Sequence, residues 1–201
     1  MTQIRVGAER EDNRDYGCGY GYCYYYARQK MINMPFTPFH LGPGILLGLL
    51  LLRYLDLPTL LVASVVLDLE PLLVIITGAD YPLHGFFHTL LGGGAAAVAA
   101  ALVMWRIRGF TGRVANAFGI RQEPSFGMVA AASFLGVYTH LLLDAPLYTD
   151  IKPFFPSEIN PLFFPEASEL IYASCIVAFI LGLAAYASML FHKKYSSGPV
   201  D

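Results

Sequence analysis

Residues 169–191 read ELIYASCIVAFILGLAAYASMLF, with Glu169 at the start as the one charged residue of the stretch. At about 1.5 Å per residue, a helix of this length is longer than the ~30 Å hydrocarbon core of a bilayer. Backbone N–H and C=O groups in lipid must pair within their own segment, so such a stretch is expected to form a transmembrane helix. We therefore predict an all-α membrane protein.

Four further apolar stretches precede this segment, at about residues 39–55, 58–77, 86–105 and 127–144. The first is short and ends near Arg53, and the second is interrupted by Asp68, Glu70 and Pro71. We expect these two to form a short helical hairpin that turns at residues 54–58, and either arm is short enough to stop part-way across the membrane. The prediction is a bundle of about five transmembrane helices over residues 34–194, followed by a C-terminal tail at 195–201.

The composition excludes two common classes of protein. Of the 201 residues, 56% are apolar and 14% are charged, and the mean hydropathy is +0.52. A soluble domain carries about 25% charged residues, so a typical soluble enzyme is excluded. The net charge of −2, with scattered Lys and Arg, gives no support for nucleic-acid binding.

The distribution of basic residues predicts the orientation, since Lys and Arg are retained on the cytoplasmic side. With the N-terminal tail excluded, the connection at 106–125 and the end of the chain carry most of them: Arg106, Arg108, Arg113, Arg121, Lys193 and Lys194. We therefore predict a multi-pass protein of the cytoplasmic membrane. Its C-terminus would be cytoplasmic, and its loops at 78–85 and 145–168 would be outside, together with the N-terminus.

The first 33 residues are polar and then rich in Gly and Tyr, without the apolar core of a signal peptide. We predict a disordered tail. Arg28 and Lys30 conflict with an outer N-terminus, which leads to the hypothesis that Met31 or Met34 is the natural start. A genuine flexible tail is the alternative.

Ionisable side chains inside a bilayer cost several kcal/mol, so they are candidate functional residues. The candidates are seven Asp, Glu and His residues within or near the ends of the first four predicted spans: His40, Asp68, Glu70, His84, His88, His140 and Asp144. The helical rise from the cytoplasmic ends places them together in the outer half of the membrane. His84 with His88, and His140 with Asp144, have the i, i+4 spacing that puts both side chains on one helical face. We predict one shared polar site.

Imidazole nitrogens and carboxylate oxygens are ligands for a divalent transition metal, with Zn favoured and Mn or Fe as alternatives. The predicted ligands are His40, Asp68, His84, His88, His140 and Asp144. They outnumber the needs of one ion, so a two-metal site is compatible with the set. An open coordination position would make a metal-activated water the nucleophile, and Glu70 is the predicted general base.

Three alternatives without a metal remain open. Each His or Asp taken alone is more often a helix cap or a hydrogen-bonding contact between helices. The same groups also suit a proton relay or a small transporter, although the cytoplasmic halves of the spans carry few polar residues to continue a path. An assembly protein with a purely structural polar cluster is the third.

The ordered set of motifs resembles the prokaryotic family of inner-membrane metal-dependent hydrolases described as LexA-binding. That family has an N-terminal His, an Asp-x-Asp pair before Pro or His, a His-Arg-Gly-x-Thr-His segment and a later His-x-x-x-Asp. The matching positions span roughly residues 35–145: His40, the DLEP sequence at 68–71, His84 with His88, and His140 with Asp144.

Two positions depart from the family pattern. Glu70 replaces the second Asp, and the HGFFH segment at 84–88 is one residue shorter and lacks the Arg. Arg is the natural partner of a phosphate group, so its absence weakens the expectation that the substrate is a phosphodiester. The resemblance implies a hydrolase, and the location in the membrane leads us to expect a lipid or another membrane-accessible ester as substrate.

Overall fold

The computed structural model describes residues 38–196, which form helices and no strand. The α-helices are α1 (Pro38–Leu50), α2 (Leu57–Ala63), α3 (Leu69–Thr77), α4 (Leu90–Ala117), α5 (Phe126–Asp144) and α6 (Ser168–Ser196). Short 3-10 turns lie at Val66–Asp68, Phe86–His88 and Pro165–Ala167. The predicted all-α fold is confirmed.

Four segments are long and apolar enough to cross a membrane: Leu57–Thr77, Leu90–Ala117, Phe126–Asp144 and Pro165–Lys193. The first predicted span is a shorter apolar helix, Phe39–Leu50. Large apolar side chains face outward on α6, where Leu170 is 72% and Ile180 is 59% exposed. Such a surface would be costly in water and is favourable in lipid, so the helices indicate a membrane protein.

The turn between α1 and α2 lies where the sequence predicts a hairpin. Asp56 caps α2, and its carboxylate accepts a hydrogen bond from the Thr59 backbone N–H at 3.0 Å. The side chain of Gln122 closes the turn from the far side, because its Nε2 donates to two carbonyl oxygens of the turn, each at 2.7 Å. The Asp56 cap and the half-buried amide of Gln122 therefore fix the hairpin.

A break in the second predicted span is confirmed, but it lies at residues 64–68 and not at Glu70 and Pro71, which are part of α3. Helix α2 ends at Ala63, and α3 begins only at Leu69, after the 3-10 turn. Pro71 lies in the first turn of α3, where a missing N–H costs nothing. The break leaves backbone groups near Ser64 free to bond outside their own helix.

The predicted third span, 86–105, is wrong at both ends. Helix α4 begins at Leu90, where Thr89 caps it by accepting from the Gly92 N–H at 2.9 Å. At the other end the helix continues to Ala117, so most of the predicted connection at 106–125 is helical. Arg is a good helix former, and a helix does not have to stop where it leaves the membrane.

The later start of α4 corrects the predicted placement of two histidines. His84 lies in a loop and His88 ends the 3-10 turn, so they do not project from one face of a helix. They still meet, with ring centroids 4.7 Å apart, because the turn folds back on the loop. The proximity of His84 and His88 was predicted, but the predicted cause, a shared helical face, is wrong.

Helix α4 and α2 pack on α5, and α1 packs along α6. Small residues allow the close approaches: a Cβ at Gly42 would collide with the Cys175 carbonyl, and a Cβ at Gly92 would collide with the Phe86 carbonyl. Gly93 and Gly94 face Val137 and Tyr138 of α5. The glycine-rich stretch therefore serves helix packing, as the sequence predicts.

The predicted spans at 127–144 and 169–191 agree with α5 and α6, and α6 extends to Ser196 into the predicted C-terminal tail. The predicted tail at 1–33 and the two alternative starts, Met31 and Met34, lie outside the described residues, as do residues 197–201.

Candidate metal centre

Six of the predicted side chains form two groups that share Asp144. The first group is His40, Asp68, His140 and Asp144, and the second is His84, His88 and Asp144. In each group, one ligand atom of every residue lies within 4.8 Å of those of the others. Glu70 belongs to neither group and contacts His88. The fold therefore brings all seven predicted residues into one region.

Asp144 is at the centre of the first group. Its Oδ1 lies 3.2 Å from His40 Nε2, and its Oδ2 lies 3.1 Å from His140 Nε2. Asp68 Oδ1 is 3.8 Å from the same nitrogen of His140. The side chains of the two histidines and Asp144 are 5% exposed or less, whereas that of Asp68 is 23% exposed. Asp68 thus forms the accessible edge of the group.

Several of these atoms are buried without a hydrogen-bond partner among the described residues. They include His88 Nε2, His140 Nε2, Asp68 Oδ2 and Asp144 Oδ1. The short contacts around Asp144 thus bring nitrogen and oxygen together without the alignment of a hydrogen bond. An unpaired buried polar atom costs about 1–3 kcal/mol, so several of them at one place indicate a site for a ligand.

The chemistry and spacing of these atoms fit a metal ion. Ligand atoms that surround a tetrahedral ion at about 2.0–2.1 Å lie roughly 3.3 Å from one another. The two contacts of Asp144 with imidazole nitrogens, at 3.2 and 3.1 Å, match that separation. Carboxylates and neutral imidazoles are ligands that Zn, Mn and Fe accept.

The other nitrogen of each of three histidines binds an acceptor outside the two groups. His140 Nδ1 lies 2.8 Å from the Ser64 carbonyl oxygen, and His88 Nδ1 lies 2.8 Å from Glu70 Oε2. His84 Nδ1 lies 3.1 Å from Asp150 Oδ1. A carbonyl oxygen only accepts, so His140 carries a proton on Nδ1, and Nε2 is the nitrogen that could bind an ion. Histidines that bind metals are commonly held in this way.

Helix α5 positions His140 and Asp144 one turn apart on one face, as the sequence predicts. One turn earlier, Gly136 lets the break after α2 approach closely. A Cβ at Gly136 would lie 2.9 Å from the Leu60 oxygen and 2.9 Å from the Ser64 nitrogen. This approach puts the Ser64 carbonyl within reach of His140.

Glu70 ties α3 to the segment that carries two of the histidines. Its Oε2 accepts from the Gly85 N–H at 3.1 Å, and its Oε1 accepts from the Phe87 N–H at 3.2 Å. With the contact to His88, both oxygens have partners, and the side chain is 7% exposed. The arrangement holds His88 in place.

The sequence analysis missed two residues at the site, Asp150 and Tyr148. Asp150 accepts from the backbone N–H of His84 at 3.2 Å as well as contacting its ring. The Tyr148 ring stacks on His84 with centroids 4.2 Å apart. Burial raises the pKa of the Tyr148 hydroxyl, and the Asp144 carboxylate adds to the rise, so the phenol keeps its proton. Both residues lie in the loop between α5 and α6, where an acidic or aromatic residue by itself carries no signal.

No family model matches the chain, and neither a curated protein nor a solved structure matches it. The site itself consists of buried His and Asp groups that could hold a metal ion, in a helical protein with four segments long and apolar enough to cross a membrane.

Proposed function

We propose that the protein is a membrane-embedded, metal-dependent hydrolase that acts on a lipid or another membrane-accessible ester. One observation carries the proposal. His88 and His140 each engage an outside acceptor through Nδ1 and keep a buried, unpaired Nε2 beside a carboxylate. Contacts between helices do not require a buried ring nitrogen without a hydrogen bond. A histidine that binds a metal, in contrast, keeps one ring nitrogen for the ion.

The residues of the first group would hold the ion: His40, Asp68, His140 and Asp144. When bound, a divalent ion supplies a Lewis acid for the scissile bond and lowers the pKa of a water molecule. Zn is the favoured ion for this mixture of nitrogen and oxygen ligands, with Mn or Fe as alternatives. Asp68, at the accessible edge, faces the side from which a substrate reaches the centre.

An apolar groove supports a lipid as the substrate. A cavity of about 630 Å³ lies between α2–α3 and α4, a volume typical of ligand sites. Its walls include Leu73 and Val103, which are 60% and 57% exposed on membrane-spanning segments. Glu70 is the charged residue among its described lining residues, and it contacts His88 directly. A chain in this groove would lie beside the metal centre.

We further propose that the C-terminus lies in the cytoplasm and the centre toward the outer face of the cytoplasmic membrane. The basic residues of α4 beyond the apolar segment support this orientation. Arg108, for example, lies 3.9 Å from the Trp105 ring centre, a pairing suited to the membrane interface.

The test is the metal content of the detergent-purified protein, measured by mass spectrometry for the wild type, His140→Ala and His192→Ala. We expect metal in the wild type and a loss in His140→Ala. The control, at an exposed histidine outside both groups, keeps the wild-type content. Hydrolysis of a lipid ester should stop on chelation and return when the metal is restored.

A proton relay or a purely structural cluster is expected to bind no metal. If the folded wild type, after chelation and reloading, binds neither Zn nor Mn nor Fe, the hydrolase proposal is wrong. Helix content by circular dichroism shows whether each variant is folded, so loss of metal and loss of structure are separated.

A further inference from the structure

The two ligand groups contain more donors than one ion uses. A catalytic ion typically takes three protein ligands and a water, so His40, Asp68, His140 and Asp144 already exceed the needs of one ion. His84 and His88 remain, although they are only 4% and 0% exposed. A single ion therefore does not explain why two further imidazoles are buried beside the first group.

The second pair of histidines resembles His140 in that Nδ1 of each ring contacts an acceptor. Each has its own carboxylate on Nδ1, Asp150 for His84 and Glu70 for His88. His88 Nε2 is buried and unpaired, as is His140 Nε2, and the two rings are 5.6 Å apart. His84 and His88 therefore lie close to the first group but are not part of it.

Asp144 connects the two groups. It belongs to both, and its side chain is 4% exposed. A carboxylate has two oxygens and is able to bridge two ions, the arrangement found in hydrolytic two-metal sites, whose ions lie about 3.5–4 Å apart.

The charges of the surrounding side chains also fit two ions. Four carboxylates surround the histidines: Asp68, Glu70, Asp144 and Asp150. With neutral imidazoles, these four negative charges equal the charge of two divalent cations.

We propose that the centre holds two divalent ions bridged by Asp144, the second bound by His84 and His88. This inference rests on the proposed metal-dependent function and deepens it. Two ions together would stabilise both the attacking and the leaving oxygen of a displacement reaction. Glu70 and Asp150 act on the second ion through the histidines that they hold.

The test uses the full chain in detergent, depleted of metal and titrated with Mn²⁺. We expect saturation at about two equivalents in the wild type and about one in His84→Ala, with His192→Ala unchanged. Electron paramagnetic resonance of the loaded wild type should show a spin-coupled pair. His84→Ala should show the signal of an isolated Mn²⁺.

Saturation of the wild type at one equivalent, with an isolated signal, would overturn the two-ion proposal, and this result does not depend on the folding of any variant. Unchanged stoichiometry in a folded His84→Ala would do the same. The proposed function is tested separately: two ions without hydrolysis contradict only the hydrolase, and one ion with hydrolysis contradicts only the pair.

Discussion

The carboxylate of Glu70 already has partners on both oxygens. Two backbone N–H groups and the His88 ring use them. A general base needs an oxygen that is free to take a proton from water. We therefore propose that Glu70 is a positioning residue, in place of the general base that the sequence predicts.

Replacement of Glu70→Gln tests this role through metal affinity. The amide keeps one acceptor oxygen and loses the charge, so His88 is held less firmly. We expect the dissociation constant of the metal to rise about 10–100-fold, as for other residues that hold metal ligands. Equilibrium titration of the metal-depleted protein measures it.

Glu123→Gln is the matched control, because Glu123 is exposed and distant in sequence from the site. It should bind metal as the wild type does. Unchanged metal affinity in Glu70→Gln, together with a lower kcat, would contradict the positioning role and restore the general base.

At the scale of helices, the break between α2 and α3 is the feature on which the site depends. A continuous helix would use the Ser64 carbonyl for its own hydrogen bonds. Because α2 ends at Ala63, that oxygen accepts from His140 instead. Gly136 on α5 permits the approach, since no side chain separates it from the backbone of the break.

Gly136→Ala should therefore weaken both folding and metal binding. The added methyl group would lie 2.7 Å from the Ala63 Cβ and 2.9 Å from backbone atoms, so α5 and the break must separate. We expect a loss of about 1–3 kcal/mol in the free energy of unfolding and weaker metal binding. Thermal unfolding in detergent and a metal titration measure the two effects.

Gly112→Ala on α4 is the control, because a Cβ there meets nothing within 4 Å. Ala favours a helix over Gly by up to about 1 kcal/mol, so this variant should be as stable as the wild type or more stable. If Gly136→Ala behaves in the same way, the close approach has no structural role.

The sequence predicts where helices lie better than where they begin. The hairpin turn is visible in advance, since Asp56 and Pro58 are typical of a helix start. The start of α4 is not, because the residues on both sides of Thr89 are equally apolar and hydropathy does not separate a 3-10 turn from a helix. Thr89 as the cap is the signal that could have placed it.

At the scale of the whole molecule, the members of the site are predictable and their contacts are not. Charged groups are rare in apolar segments, so His40, His140 and Asp144 stand out in the sequence. The contact of His40 with Asp144 depends on the approach of α1 to α5, which no local pattern encodes. Asp150 lies in the loop after α5, and only the fold reveals its contact with His84.

In the whole molecule, the proposed metal centre and the groove that we assign to the lipid chain are separate sites. Ala99 is exposed and lines the groove on α4, away from both ligand groups. Ala99→Phe should fill the groove without disturbing the core, so the metal content stays at the wild-type value. We expect hydrolysis of a long-chain lipid ester to fall on the order of ten-fold or more, while a short-chain soluble ester is hydrolysed as before.

Ala95→Phe is the matched control, because Ala95 is also exposed on α4, one turn away, and is not among the residues that line the groove. It should leave the hydrolysis of both esters unchanged. Equal loss with the long and the short ester in Ala99→Phe would show damage to the centre, since a chain-binding groove discriminates by chain length. Wild-type hydrolysis of the long-chain ester in Ala99→Phe would place the acyl chain elsewhere on the protein.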